Sequence, residues 1–215
     1  MSESPRHVRF FHSPNTRSSG VFILLDELDA DYDLEVLNMK AGEQRGAAFL
    51  AINPMGKVPA LMHGDALVTE QAALYIFLAD LYPEVGLAPG LTDPLRGPYL
   101  RWMVYYAAAF EPAVIDRAFK REVALQTSSP YSDFDTTVKI VTDQLARGTW
   151  MLGDRFSALD ILWGSALGWI TGFGLVPKTP LIQAYLERLE ARSSVQKVRA
   201  TDAELAAAHA ALIAE

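Results

Sequence analysis

Between Val8 and Tyr82 the spacing of apolar positions switches between strand-like and helical periods, and the switches mark out alternating elements. Val8-Arg9-Phe10-Phe11-His12 is a short β-like run, closed by the turn-rich Ser13-Pro14-Asn15-Thr16. From Ser18 onward Val21, Leu24, Leu25 and Leu28 recur at helical spacing. Residues 32–37 read as a second strand with Leu34 and Val36 on one face. A strand, a helix and a strand in about thirty residues predict a βαβ unit with a parallel pair. A short helical piece precedes Asn53, and residues 60–62 and 66–68 flank His63-Gly64-Asp65, a hairpin signal. Residues 70–82 form the last helix of this half, stopped by Pro83.

Residues 83–94, rich in Gly and Pro, read as a linker, and everything after them is helical in period. Trp102, Tyr106 and Phe110 fall at four-residue intervals on one face. Ser132-x-x-Asp135, Ser157-x-x-Asp160 and Thr201-x-x-Glu204 each have capping-box spacing at a plausible helix start. Thr179-Pro180 puts a cap before a proline at the first helical position. The chain therefore divides into a mixed α/β domain over residues 1–84 and an all-α domain over residues 85–215.

Composition narrows the chemistry. The 215 residues are enough to bury a substantial core, with 50% hydrophobic and 21% charged positions, as expected of a globular chain. A net charge of −7 argues against non-specific nucleic-acid binding. No basic segment leads into an apolar one at the start, and no apolar run is long enough to span a bilayer, so a soluble cytoplasmic protein is expected. With no cysteine there is no disulfide, no thiolate metal site and no protein thiol nucleophile. The four histidines, His7, His12, His63 and His209, lack ligand spacing and read as satisfied surface or core residues; no metal is expected.

The richest stretch for chemistry is Asn53-Pro54-Met55-Gly56-Lys57-Val58-Pro59-Ala60-Leu61, followed by Thr69-Glu70-Gln71. Pro59 cannot donate to a sheet ladder and holds Val58 extended, leaving a backbone edge open to something other than protein. A cis Val58–Pro59 bond would turn that edge towards a cleft. An acidic residue then opens the next helix. A small extended peptide bearing both an ammonium and carboxylates suits this combination.

These residues resemble the N-P-x-G-x-V-P-x-L and [TS]-E-[SQ] pattern of the cytosolic glutathione transferases. Gly153-Asp154-Arg155-Phe156-Ser157-Ala158-Leu159-Asp160 resembles the same family's G-D-x-[FY]-[ST]-x-[AL]-D motif, so the likeness extends over nearly the whole chain. That second motif is read as a folding element, a capping box with Phe156 and Ile161 positioned for a hydrophobic staple. The resemblance implies a thioredoxin-like N-terminal domain followed by an all-helical one. It implies glutathione as co-substrate with no other cofactor, a small hydrophobic electrophile as second substrate, and a homodimer.

It also implies roles for residues. The Val58 backbone would pair with the cysteinyl unit of glutathione. Glu70 would accept from the γ-glutamyl ammonium, and Gln71 would help donors at the helix start hold the γ-glutamyl carboxylate. Lys57 would lie near the glycyl carboxylate. The electrophile would sit between the loop at residues 13–19 and the first long helix of the second domain, against Tyr105, Tyr106 and Phe110, with Trp169 and Phe173 further off.

The family's chemistry needs a thiolate. Lowering a thiol from a pKa of about 8.5 by about two units takes roughly 2.7 kcal/mol of preferential anion stabilisation. One hydrogen-bond donor and a helix N-terminus in the loop at residues 13–19 could supply it. That loop holds neither Tyr nor Cys, which excludes the cysteine-bearing, omega-like reductases as mechanistic models. Alignment without gaps puts Asn15 at the serine of the serine classes; matching Ser13-Pro14-Asn15 to the T-P-N of nu-like bacterial transferases pairs Ser13 with the threonine. Asn15, Ser13 and Thr16 are the candidate catalytic donors, although the same residues also make ordinary turns and caps. Three readings stay open: a transferase, a nu-like reductase or peroxidase working through bound glutathione, and a non-catalytic ligand carrier or scaffold.

Overall fold

The structure is a computed structural model that describes residues 4–122, 125 and 127–214. The chain forms two compact units, Met1–Val85 together with Arg192–Glu215, and Gly86–Ala191. The first of these boundaries falls between Val85 and Gly86. The segment from Arg192 onward, expected to belong to an undivided second domain over residues 85–215, returns instead to the first unit.

The first unit contains strands β1 (Val8–His12), β2 (Tyr32–Val36), β3 (Ala60–His63) and β4 (Ala66–Val68), with helices α1 (Ser18–Glu27), α2 (Ala47–Ile52) and α3 (Gln71–Leu81). The four-stranded sheet has the order β2-β1-β3-β4. β1 runs parallel to β2, with Phe10 facing Leu34, and antiparallel to β3, with Phe11 facing Ala60. β1 is near-continuously apolar because it lies inside the sheet: Val8, Phe10 and Phe11 are buried. α1 and α3 bury Val21, Leu24, Leu25, Leu74, Tyr75 and Leu78.

The long Ala-rich helix α9 (Ser193–Ala214) packs on α1 within this unit. Arg192 grips Glu27 with two hydrogen bonds of 2.6 Å, and Ser194 donates to the same carboxylate. Thr201 does not start a helix as its spacing with Glu204 predicted. It lies inside α9, where its hydroxyl donates back to the Lys197 carbonyl at 3.1 Å.

The second unit is helical throughout its regular structure. α4 (Arg96–Tyr105) runs through a π-helical turn, Tyr106–Phe110, into α5 (Glu111–Ala118), and α6 (Phe134–Leu145), α7 (Ala158–Gly172) and α8 (Pro180–Glu190) follow. Trp163 of α7 is the hub of its core, in ring contact with Trp102, Tyr105, Tyr106 and Phe110. α7 starts as predicted: Ser157 and Asp160 form a complete capping box. Thr179 likewise caps α8, accepting from the Ile182 N–H. At α6 the cap is Asp133, which accepts from the Thr136 N–H at 2.7 Å, rather than Ser132. A carboxylate is a strong acceptor for the N–H groups at a helix N-terminus.

Candidate functional site

Strand register gathers the candidate residues at one end of the sheet. Because Phe11 faces Ala60 across antiparallel strands, the loop leaving β1 at Ser13 emerges beside the segment entering β3 at Val58. Because Leu61 faces Val68, the chain leaving β4 towards Glu70 emerges at that same end. Ser13, Asn15, Thr16, Lys57, Val58, Glu70 and Gln71 therefore share one edge of the first unit, where the N-termini of α1 and α3 also lie.

The Asn53–Pro59 segment is held from behind. Asn53 is 4% exposed. Its side-chain amide donates to the Lys57 carbonyl at 2.8 Å, and its carbonyl oxygen accepts from the Met55 N–H at 3.1 Å. Gly56 has φ +59°, and a Cβ there would stand 2.7 Å from the Gln44 carbonyl oxygen, so both conformation and space demand glycine. The Val58–Pro59 peptide is cis. Among the described residues nothing hydrogen-bonds the Val58 N–H or C=O, while the Val58 side chain packs on a cluster of Phe11, Phe49 and Ala60. The side chain is anchored and the main chain is offered. Lys57 is exposed beside it.

Glu70 caps α3 in an unusual conformation, φ 65° and ψ 116°, with its side chain exposed. A non-glycine residue held at positive φ costs about 1–3 kcal/mol and clusters where a site demands it. Glu70 makes no side-chain cap to α3, whose N-terminus is the positive end of the helix dipole and favours an anion. The Gln71 amide nitrogen donates to the Arg17 carbonyl at 3.2 Å, which ties the start of α3 to the loop after β1.

That loop is more tightly built than its turn-like sequence suggested. Asn15 takes a left-handed conformation at φ 57°, and its N–H donates to Asp202 at 3.1 Å. The Thr16 hydroxyl lies 2.8 Å from the Ser13 carbonyl and 2.7 Å from Ser18 Oγ. Ser13 is 3% exposed, whereas Thr16 is half-buried. Beneath the loop, Ser18 Oγ sits 2.8 Å from His12 Nδ1, and His12 Nε2 sits 2.9 Å from Asp202 Oδ1. Burial pushes the Asp202 carboxyl up, but the His12, Ser19 and Asn15 hydrogen bonds outweigh it and hold the group below the usual carboxylate range.

His12 and Asp202 are the residues that sequence reasoning did not assign to the site. His12 is a buried core histidine, as read, but its partner comes from α9. No spacing rule joins positions so far apart in the chain.

In the second unit, Tyr106 and Phe110 are almost wholly buried around Trp163. Tyr105 is partly exposed and donates to the Thr137 carbonyl at 3.2 Å. Trp169 and Phe173 are exposed and in edge contact with each other. Among the described residues no group of three metal-ligating side chains comes together, and no helix is long and apolar enough to cross a membrane.

Comparison with known proteins agrees with this geometry. Residues 7–79 match the family described as glutathione S-transferase, N-terminal domain. A glutathione transferase of known structure from Methylococcus capsulatus is 30% identical, covering 91% of this chain and 98% of its own, with a TM-score of 0.76. A glutathione transferase homologue from Sulfitobacter, solved with bound glutathione, is 27% identical over 91% of this chain and 98% of its own, with a TM-score of 0.73. The Escherichia coli O157:H7 glutathione S-transferase GstA is 26% identical over 197 residues, 88% of this chain and 96% of its own. The chain belongs to the glutathione S-transferase family and is a glutathione transferase enzyme.

Proposed function

We propose that the edge formed by Val58, Glu70 and the start of α3 binds glutathione, and that the bound thiolate is transferred to a small hydrophobic electrophile. The observation that carries this reading is the unpaired Val58 main chain, at the same sheet end as the N-terminus of α3. An extended peptide can add to that edge as a further strand. Its γ-glutamyl carboxylate meets the positive N-terminal end of α3, beside Gln71, and its ammonium meets Glu70. Lys57 attends the glycyl carboxylate.

The sulfur then faces the loop after β1, with the Thr16 hydroxyl and the Asn15 amide as donors; Ser13 is too buried to be the first choice. The protein acts in the cytoplasm as a homodimer, as the family resemblance implies. Calorimetric titration with glutathione tests the binding step. Glu70→Gln, which keeps the shape and removes the charge, is expected to weaken affinity by about tenfold or more, the scale of one charge-assisted hydrogen bond. Equal affinity in the variant, or no heat in the wild type, would defeat the assignment.

A further inference from the structure

Below the loop, a single chain of hydrogen bonds runs from the half-buried Thr16 to a buried carboxylate. Thr16 Oγ1 is 2.7 Å from Ser18 Oγ, which is 2.8 Å from His12 Nδ1, and His12 Nε2 is 2.9 Å from Asp202 Oδ1. His12 and Ser18 are both 0% exposed. Buried polar groups in such a chain are tolerable only when donors and acceptors agree at every link.

Asp202, an acceptor only, fixes the direction. It requires a hydrogen on His12 Nε2; when that is the ring's one N–H, Nδ1 accepts and the Ser18 hydroxyl donates to it. With its donor committed, Ser18 Oγ accepts from the Ser13 N–H at 3.1 Å and from the Thr16 hydroxyl, whose one hydrogen is shared between Ser18 Oγ at 2.7 Å and the Ser13 carbonyl at 2.8 Å. The donors thus point inward from Thr16 to His12, and the passage of one proton reverses all of them.

We infer that His12 is the acceptor of the glutathione thiol proton, reached through Thr16 and Ser18. The inference rests on the reading that glutathione sulfur faces this loop. The S–H bond breaks as the thiol proton passes to Thr16 Oγ1. Thr16 gives its own proton to Ser18 Oγ, and Ser18 gives its own to His12 Nδ1. The net change is one S–H bond lost and one N–H bond gained, with no proton released to solvent.

Each hydroxyl now points outward, so Thr16 donates to the thiolate it has just helped create. The imidazolium faces the Asp202 carboxylate, which is also held by the Asn15 N–H and the Ser19 hydroxyl. The other groups against the His12 ring are Phe10 on its own strand and Phe22 and Ser18 on α1. Asp202, from α9, is the charged partner among the described residues. A histidine so enclosed exchanges protons through its hydroxyl partner.

Calorimetry with glutathione in buffers of different protonation enthalpy counts the protons released, while ultraviolet absorbance counts the thiolate formed. Wild-type protein should form thiolate without a matching proton release. His12→Asn, whose amide can still bond Ser18 and Asp202 but takes up no proton, should form about tenfold less thiolate at neutral pH and release a proton for each one formed. Ser18→Ala leaves the His12–Asp202 pair in place and should show the same loss, as should Thr16→Val, whereas Thr16→Ser, which keeps a hydroxyl, should regain most of the thiolate that Thr16→Val loses. A full proton released per thiolate in the wild type, or undiminished thiolate in Ser18→Ala, overturns the relay while the binding assignment stands. Absence of any glutathione heat removes the binding assignment and the relay together.

Discussion

Glu70 carries two burdens that a single substitution separates. Its side chain is exposed and unassisted by the helix it caps, while its backbone sits at φ 65° and ψ 116°, where a side chain is disfavoured. Glycine adopts positive φ without the steric penalty. Glu70→Gly should therefore stabilise the fold by about 0.5–1 kcal/mol in urea unfolding while weakening glutathione binding. A variant less stable than wild type would show that the strain account is wrong, because the conformation would then be one that the glutamate itself favours. At this scale the sequence was informative: the order of Asn53, Gly56, Val58 and Pro59 announced an edge, and each has a local reason for its identity. The φ of Glu70 was not announced, since Glu at a helix start is equally suited to an ordinary cap.

The element with the sharpest electrostatic signature is the start of α7. Asp160 accepts from the Ser157 N–H at 2.9 Å, the Met151 N–H at 2.7 Å and the Tyr185 hydroxyl at 2.9 Å. Burial nevertheless dominates and pushes its carboxyl from 3.8 up to about 6, because the hydrogen bonds offset only part of the desolvation. A carboxyl with a raised folded pKa binds more protons in the folded state, so its contribution is complete below 3.8 and is lost as pH rises towards about 6. Asp160→Asn removes this titration. The stability of wild type minus that of the variant, followed by urea unfolding, should decline across that window; a difference that grows with pH would contradict the burial account. The capping box was legible in the sequence because all its members lie within one turn. At α6 the same kind of pattern misjudged the cap by one residue, and at Thr201 it marked no helix start at all. Local spacing cannot register whether a preceding turn is already helical.

Across the molecule, α9 is tied to α1 by acids whose titration points the other way. Burial pushes Glu27 up, but the Arg192 and Ser194 hydrogen bonds prevail and hold it below 4.5. Asp202 is likewise held below 3.8. Such lowered carboxyls supply stability that is fully present above their unfolded values and disappears as pH falls through the folded ones. Arg192→Ala should destabilise the protein by about 1–3 kcal/mol at neutral pH, and the difference should shrink at acid pH as Glu27 takes up its proton. Equal differences at the two pH values would show that Arg192 acts by packing alone.

What the sequence by itself determined was everything carried by short-range period and spacing. It specified the βαβ-α-ββα order of the first unit, the absence of any thiol, and the family. These follow because strand alternation, helical period and turn chemistry are set by neighbours a few residues apart. Only the tertiary structure decided that Arg192–Glu215 returns to the first unit. The same return brings Asp202 under the loop at residues 13–19 and couples it to His12. An Ala-rich helix can lie against many surfaces, and its place is chosen by a few paired charges and buried contacts whose partners are far away along the chain.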